Sequence, residues 1–254
     1  MSDPYPDVVA RFYDAVYAQV RDGVDSAFYL EQMAAARGPV LEIGVGTGRL
    51  FVEARRRGID AWGIDVSPAM AERCRAKLPP EDRERVSIAD ATRLRTDRRF
   101  ALVCAPFRVL SHVYETEDQL RLLDAVHDAL LPGGAFLFDL YVPSLRLLLE
   151  GMPERVDFDG EHAAGRRLRR IVSSRPADLS RQTNRVHMTF RWEEEDGEHR
   201  AEWEFEMRFY FRFEIEHLVA RSKLVLEGIH GDFAGGPLEA GSREYVVTCR
   251  RPGA

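Results

Sequence analysis

The hydrophobic pattern of the chain changes near residue 142. Before that point, short apolar runs alternate with longer stretches in which apolar residues recur with a helical period. Apolar runs that each lead into a helix are typical of a parallel sheet. The predicted strands are Val40–Ile43, the run that ends at Asp65, Val86–Ala89, Phe100–Ala105 and Ala135–Leu140, and the predicted helices are Thr47–Arg57, Pro68–Lys77 and Thr116–Leu131.

Between about residues 153 and 213, apolar residues instead occupy every second position, which predicts strands with one buried face. The dipeptide Asp196-Gly197 is typical of a two-residue hairpin turn, and the alternation after it runs from Trp203 to Phe213. We therefore predict an antiparallel β insertion. Its aromatic face must be covered, either by the main domain as a wall of a cleft or by a second subunit in a homodimer. The register predicted from that turn pairs Phe190 with Trp203, Met188 with Phe205, and Arg191 with Glu202.

The C-terminal part of the chain returns to a mixed pattern. Glu214–Ala220 is predicted as a short helix, and Lys223–Ile229 and Tyr245–Arg250 as strands that rejoin the main sheet. The pattern thus divides the chain into four parts. They are N-terminal helices (1–35), an α/β core (36–150), the antiparallel insertion (151–213) and a C-terminal completion of the core sheet (214–254).

A glycine-rich turn follows the first predicted strand. Gly44, Gly46 and Gly48 form a G-x-G-x-G pattern between that strand and the next helix, where backbone N–H groups can approach a ligand closely. The fingerprint of dinucleotide-binding proteins is G-x-G-x-x-G, and the place of its third glycine is taken here by Arg49. Glu42 precedes the turn, and a carboxylate there suits a ligand with a cationic end better than a pyrophosphate.

The E-x-G-x-G-x-G sequence, with Asp65 closing the next strand, resembles the first two motifs of class I S-adenosylmethionine-dependent methyltransferases. The resemblance covers residues 40 to 140 and, more weakly, the last forty. It implies a seven-stranded Rossmann-like methyltransferase sheet with helices on both faces and an antiparallel seventh strand. The resemblance says little about the β insertion, which the alternating pattern places between strands five and six of that sheet. It also implies S-adenosylmethionine as the cofactor. The cofactor-binding residues that it implies are Glu42, Gly44, Gly46, Gly48, Asp65, Val66, Asp90, Ala91 and Phe107.

In that family, the acid at the end of the second strand receives the two ribose hydroxyls, which suits an acceptor-only carboxylate such as Asp65. Glu42 matches the acid near the methionyl ammonium group. Asp90 matches the polar residue that faces the adenine amino group, and Ala91 offers a neighbouring backbone amide.

Catalytic and substrate candidates lie at three places. The first is the N-terminal Y-D-x-x-Y segment. In this segment Tyr13, a catalytic candidate, resembles a lid tyrosine that closes over the cofactor, and Tyr17 is a substrate candidate. The segment equally fits an amphipathic helix that packs on the core. The second follows strand four, where His112 is a candidate base or a structural hydrogen-bonding group. The third follows strand five, where Asp139 and Tyr141 are substrate candidates; Asp139 equally fits a cap of the following helix. Arg108, which lies close to His112 in the sequence, and Arg212 are further substrate candidates.

Composition excludes several other classes. A formal charge of −6 argues against general affinity for nucleic acid, and no early apolar run has the length of a membrane span or the form of a secretory signal, so we expect a cytoplasmic protein. The cysteines lack the spacing of a disulfide framework or zinc site, and the histidines lack that of a metal site. The arginine-rich segment Arg166–Arg170 is either a solvated edge or an anionic-substrate patch.

The expected reaction is in-line methyl transfer to an N or O atom of a small-molecule acceptor. The N-P-P-Y-like tetrapeptide of many nucleic-acid methyltransferases is replaced by Ala105-Pro106-Phe107-Arg108. The plan of the chain is similar to enzymes that N-methylate nucleotide-linked amino sugars, for which Arg166, Arg170 and Arg212 would suit a diphosphate. A noncatalytic S-adenosylmethionine sensor or partner subunit stays open as an alternative, and a dehydrogenase ranks below both.

Overall fold

The computed structural model describes residues 5–20 and 23–253. Its helices and strands form two sheets with helices around them. The helices are α1 (Asp7–Val20), α2 (Val24–Ala35), α3 (Phe51–Arg56), α4 (Pro68–Ala76), α5 (Thr116–Ala129), α6 (Leu145–Glu150) and α7 (Arg212–Ala220). The strands are β1 (Val40–Ile43), β2 (Ala61–Asp65), β3 (Val86–Ile88), β4 (Phe100–Ala105), β5 (Leu130–Tyr141), β6 (Met152–Ala163), β7 (Arg166–Ser174), β8 (Thr183–Glu194), β9 (Gly197–Arg208), β10 (Val225–His230) and β11 (Glu244–Arg250).

The larger sheet has seven strands in the order β10-β11-β5-β4-β1-β2-β3. Strand β11 pairs antiparallel with both β5 and β10, whereas the pairs from β5 to β3 are parallel. The predicted fold class, including the antiparallel last strand, is confirmed. Because β1 lies inside the sheet, between β4 and β2, and its residues are buried, its carboxyl end places the glycine turn between the ends of neighbouring parallel strands.

Two apolar clusters fill the two faces of this sheet. One contains side chains of α5 and α7 against β4, β5 and β11, and the other contains side chains of α2, α3 and α4 against β1 and β2. Burial on both faces explains why the central strands are continuous apolar runs in the sequence. None of the described helices has the length and apolarity needed to cross a membrane.

The second sheet is the predicted antiparallel insertion, in the order β6-β7-β8-β9. Its apolar side chains, including Phe158, Leu168 and Phe190, form a third cluster with Phe12 and Val16 of α1. The aromatic face is therefore covered within the chain by its own N-terminal helix. The homodimer through this insertion stays a prediction.

The predicted hairpin register is wrong by two residues. Glu194 pairs with Gly197, so the turn is Glu195-Asp196, and Met188 pairs with Trp203 while Phe190 pairs with Ala201. A shift of two positions preserves the side of the sheet on which each residue lies, so the alternation itself could not distinguish the two registers. The same two-residue shift places Arg191 opposite Arg200 rather than opposite the predicted Glu202.

Two helix boundaries also differ from the sequence prediction. The helix after the glycine turn begins at Phe51 rather than at Thr47, because turn residues occupy the intervening positions. Helix α7 begins at Arg212, so the predicted alternation does not continue to Phe213, which lies in the first turn of that helix and is exposed.

Candidate functional site

A cavity with about 910 Å³ of empty space, part of it open to solvent, lies at the carboxyl ends of the parallel strands. This is where open α/β sheets bind ligands. The glycine turn forms its floor, and residues after β2, β3 and β4 form the sides. Residues of the N-terminal segment complete the lining. Those that matter for the site are Tyr5, Tyr13, Glu42, Gly44, Gly46, Thr47, Arg49, Asp65, Val66, Ala89, Ala91, Phe107 and His112.

The glycine turn is left-handed at all three glycines, but the glycines serve different purposes. A Cβ on Gly46 would meet no atom within 4 Å, so this position leaves open space beside the cavity that a ligand can occupy. A Cβ on Gly48 would lie 2.7 Å from the Sγ of Cys74 and 2.8 Å from Val52. Gly48 thus allows the turn to pack on α3 and α4, and it does not itself line the cavity.

Asp65 ends β2 with a carboxylate that is already anchored to the backbone. Its Oδ2 accepts the N–H of Gly46 at 2.8 Å, and its Oδ1 accepts the N–H of Ser67 at 2.8 Å. Burial raises its pKa, and these backbone donors oppose that rise. A carboxylate can accept more hydrogen bonds than these two, so Asp65 is suited to the hydroxyls of a vicinal diol.

Glu42 is buried in β1, and its side chain lines the cavity. Its Oε2 has no hydrogen-bond partner among the described residues. Burial raises the pKa of Glu42 to about 8, and Arg49 opposes that rise. A buried carboxyl oxygen without a partner is costly, and a cationic ligand group would remove the cost. These features fit a ligand that carries an ammonium group.

Glu42 should make the stability and ligand affinity of the protein depend on pH. Its folded-state pKa of about 8 lies above the ordinary value of 4.5, so the folded protein holds an extra proton between those values and loses stability as pH rises through that window. A bound ammonium group favours the ionised form. S-adenosylmethionine binding near pH 7 should therefore release most of one proton, and affinity should rise with pH up to about 8.

Isothermal titration in buffers of different ionisation enthalpy measures that proton release. Glu42→Gln, which keeps the shape without the ionisable group, should abolish it. Equal proton release by the wild type and this variant would show that another group is responsible.

Asp90 and Ala91 flank the third side of the cavity. Ala89 and Ala91 line it, whereas the Oδ1 of Asp90 accepts hydrogen bonds from the backbone and hydroxyl of Thr92, both at 2.8 Å. Asp90 thus caps the short turn that carries Ala91, and its contact with adenine stays a prediction.

The N-terminal segment of residues 5–20, which we call the lid, is held next to the glycine turn by polar contacts. Asp14 accepts a hydrogen bond from the Thr47 hydroxyl at 2.6 Å and forms an ion pair with Lys77 at 2.5 Å. The Ser67 hydroxyl donates to the backbone carbonyl of Tyr5 at 2.9 Å. Tyr13 lines the cavity, whereas Phe12 and Val16 of the same helix are buried, as expected for an amphipathic helix that packs on the core. Closure of Tyr13 over the cofactor stays a prediction.

His112 and Tyr5 meet at one wall of the cavity. The Tyr5 hydroxyl lies 3.2 Å from the Nε2 of His112. Burial lowers the pKa of His112 to about 4, so the imidazole is neutral near pH 7 and is a weak base. Sequence analysis did not identify Tyr5 or Thr47 as site residues. Thr47 lies inside the glycine motif, but no local signal marks Tyr5.

The loop after β4 is held by a buried carboxylate. Phe107 and Arg108 both have left-handed backbone conformations, with φ of 62° and 64°. The Oδ1 of Asp139 accepts the Phe107 N–H at 2.7 Å and the Tyr29 hydroxyl at 2.8 Å, and its Oδ2 has no partner among the described residues. Asp139 does not line the cavity; it supports the loop that does.

Replacing Asp139 with leucine should destabilise the protein by about 2–4 kcal/mol, because two buried donors lose their acceptor. At pH 4, where the wild-type carboxyl is mostly protonated, Asp139→Asn should stay within about 1 kcal/mol of the wild type, since one amide oxygen can accept both bonds. Burial raises the pKa of Asp139 from 3.8 to about 6, so the wild type should lose stability as pH rises through that range and the asparagine variant should not; at pH 7 the asparagine variant should be the more stable of the two. Urea unfolding at pH 4 and pH 7 measures both effects; equal stability of the two variants would contradict the assignment.

The other substrate candidates lie outside the cavity lining. Arg108 forms an ion pair with Glu244 at 3.0 Å and lies over the ring of Tyr141, whose hydroxyl accepts a hydrogen bond from Asn184 at 3.2 Å. Arg212 pairs with Glu216 on α7 at 2.7 Å. The structure does not bring these residues to the cavity, and their substrate roles stay predictions.

The arginine-rich segment is largely paired within the second sheet. Arg166 bonds to Glu194 and Glu195, and Arg167 bonds to Asp159. Arg170 is buried and forms a two-point contact with Asp157 at 3.0 and 2.7 Å. These partners favour the solvated edge over a patch for an anionic substrate at the exposed Arg167 and Arg169, whereas Arg170 is buried and the solvated edge is wrong for that residue. No group of His, Cys, Asp and Glu within the described ranges has the arrangement of a metal site.

Comparison with known proteins agrees with this geometry. Residues 40–134 match the methyltransferase domain family. The carboxy-S-adenosyl-L-methionine synthase of Pseudomonas putida is 30% identical over 139 residues, which are 52% of this chain and 56% of that protein. The magnesium-protoporphyrin O-methyltransferase of Rhodobacter capsulatus is 44% identical over 48 residues, or 19% and 21% of the two chains. The matches therefore span about half, or less, of the length of these curated relatives.

Solved structures match almost the whole chain. The CcbJ methyltransferase of Streptomyces caelestis is 26% identical, with a TM-score of 0.73 over 91% of this chain and 95% of that one. The sugar N-methyltransferase KedS8 of a Streptoalloteichus species is 20% identical, with a TM-score of 0.74 over 94% and 92%. Its likeness shows a shared fold. The domain match shows a methyltransferase domain over residues 40–134, and the likeness to these structures over almost the whole chain agrees with the family resemblance seen in the sequence.

Proposed function

We propose that this chain, a class I S-adenosylmethionine-dependent methyltransferase by its matched domain and its fold, transfers a methyl group to an N or O atom of a small-molecule acceptor. The observation that carries the proposal is the pair of buried carboxylates at the ends of neighbouring strands. Glu42 has an oxygen without a partner, and Asp65 is anchored by two backbone N–H groups.

The residues of the cavity fit the parts of this cofactor. Asp65 would accept the ribose hydroxyls, Glu42 would offset the methionyl ammonium, and the space beside Gly46 would admit the chain between them. The cofactor supplies a methyl group that its sulfonium already activates for displacement. The main tasks of the protein are then to orient the acceptor in line with that methyl group and to exclude water. The N-terminal lid, tied down through Asp14 and Thr47, is suited to the second task.

A small acceptor is supported by the enclosure of the site. Tyr5 and Tyr13 of the lid line one side of the cavity, and the lid packs on the second sheet. The similar structures include a sugar N-methyltransferase and a glycopeptide N-methyltransferase. The negative formal charge of the chain also favours a small acceptor over nucleic acid.

Transfer of labelled methyl groups tests this function. The purified protein would be incubated with S-adenosylmethionine carrying a tritiated methyl group and with a panel of amines, amino sugars, nucleotide-linked amino sugars, phenols and alcohols. Labelled product should form with at least one acceptor class, and Asp65→Ala should reduce it to background. If the wild type binds the cofactor but labels no acceptor above that background, the noncatalytic sensor alternative is favoured.

A further inference from the structure

Four aromatic side chains converge on the cavity from separate parts of the chain. Tyr5 and Tyr13 belong to the lid, and Phe107 and His112 belong to the loop after β4. We refer to these four as the aromatic box. The ring centre of Tyr5 lies 5.7 Å from that of His112 and 6.5 Å from that of Tyr13.

Further rings hold the aromatic box in place. Trp203 of the second sheet packs on Tyr5, with ring centres 4.6 Å apart, and it stacks on Phe205 at 4.0 Å. On the other side Tyr17 lies 4.3 Å from Tyr13 and 5.3 Å from Phe107. Because these contacts come from the lid, the loop and the second sheet, the rings are positioned before any acceptor arrives.

The charges around the aromatic box do not oppose a positive group. Among the described residues that line the cavity, Glu42 and Asp65 are assigned to the cofactor, and the guanidinium of Arg49, 5.6 Å from the centre of the Phe107 ring, is paired with Asp25 at 2.8 Å. Burial lowers the pKa of His112 to about 4, so its imidazole is neutral near pH 7 and does not repel a cation. Aromatic faces attract alkylammonium groups through their quadrupoles, most strongly where water is excluded.

The same groups offer little help to a hydroxyl acceptor. An alcohol must lose its proton as it attacks, and a base that takes this proton works best with a pKa near the working pH. The pKa of His112 is too low for this, and burial raises the pKa of Tyr5 well above its ordinary value, so its anion is not formed near pH 7. The unprotonated form of an amine has a free lone pair and needs no base in the site.

We propose that the aromatic box receives the nitrogen of an alkylamine, which makes the acceptor an amine and the product a methylated alkylammonium ion. This inference rests on the proposed function. In the transfer step the lone pair of the amine forms the new bond to the methyl carbon. The carbon–sulfur bond breaks, its electron pair stays on sulfur, and the positive charge passes to nitrogen. The aromatic box faces that charge throughout, and the ammonium proton is released to water afterwards.

Binding of a cation and its neutral isostere tests the aromatic box without requiring turnover. Choline and 3,3-dimethylbutan-1-ol have the same shape and differ in charge, and each would be titrated into protein saturated with S-adenosylhomocysteine, which has no sulfonium. We expect choline to bind about 10-fold more tightly. Tyr5→Leu should reduce that preference several-fold, Tyr5→Phe should keep most of it, and Phe213→Leu, which removes an exposed ring on α7, should leave it unchanged.

The binding results distinguish failure of the amine site from failure of the proposed methyltransferase function. Equal binding of the two probes, failure of both to bind, or a preference that Tyr5→Leu leaves intact would overturn the aromatic box as an amine site. The wild-type ratio alone decides the matter if Tyr5→Leu does not fold. Methyl transfer to hydroxyl compounds, together with equal binding of choline and its neutral isostere, would refute the inference while supporting the proposed function. If the wild-type protein does not bind S-adenosylhomocysteine, the proposed function itself is contradicted.

Discussion

Replacing Asp65 with alanine should weaken S-adenosylmethionine binding by at least about 100-fold. The carboxylate is buried at the end of β2 and is expected to accept both ribose hydroxyls, and hydrogen bonds to a charged group contribute about 1.5–3 kcal/mol each. Two such bonds correspond to a factor of 100 or more in the dissociation constant. The change also removes the acceptor of the Gly46 N–H, so the turn that faces the ligand would lose an anchor.

The matched control is Asp60→Ala, which removes an acid of the same type at the opposite end of β2. Asp60 is exposed and pairs with Arg85, away from the cavity. Its removal should change the affinity less than about twofold, because exposed ion pairs contribute little. Similar losses in the two variants would indicate a general effect of charge and would contradict the role assigned to Asp65.

Gly63→Ala should lower the free energy of unfolding by about 2–3 kcal/mol, because the added methyl group overfills a packed core. Gly63 lies in the middle of β2, and a Cβ there would be 2.2 Å from Val45 and 3.1 Å from Phe51. Val45 belongs to the glycine turn and lines the cavity, so relief of the overlap should also shift the turn and reduce cofactor affinity. Urea unfolding monitored by circular dichroism measures the stability change.

Gly241→Ala provides the comparison for this prediction. Gly241 has no atom within 4 Å of an added Cβ and no left-handed backbone, so its replacement should alter stability by less than about 0.5 kcal/mol. If Gly63→Ala proved as stable as Gly241→Ala, the close packing of the glycine turn on β2 would be incorrect.

Local sequence patterns were sufficient to predict the core of the fold. The parallel strands are buried on both faces and therefore appear as short apolar runs, and the helix after β2 is marked by Ser67, whose side chain accepts from the Met70 N–H, and by Pro68. The glycine spacing and Asp65 are also local, and the structure brings both to the cavity. These predictions needed no knowledge of which distant residues meet.

Features that depend on distant contacts could not be predicted in the same way. The hairpin register is one, because alternation with a period of two fits pairings that differ by two residues. The role of Asp139 is another: its partners Tyr29 and Phe107 lie 110 and 32 positions away in the chain, so the sequence near Asp139 does not show that it supports the loop after β4. Tyr5 reaches His112 across 107 positions, and no motif marks it.

Isothermal titration of the purified protein with S-adenosylmethionine and, separately, with NAD tests the central claim most directly. The arrangement of Glu42, Gly46 and Asp65 predicts micromolar binding of S-adenosylmethionine and no measurable binding of NAD. Binding of NAD without binding of S-adenosylmethionine would contradict the assignment of the cavity and the function built on it.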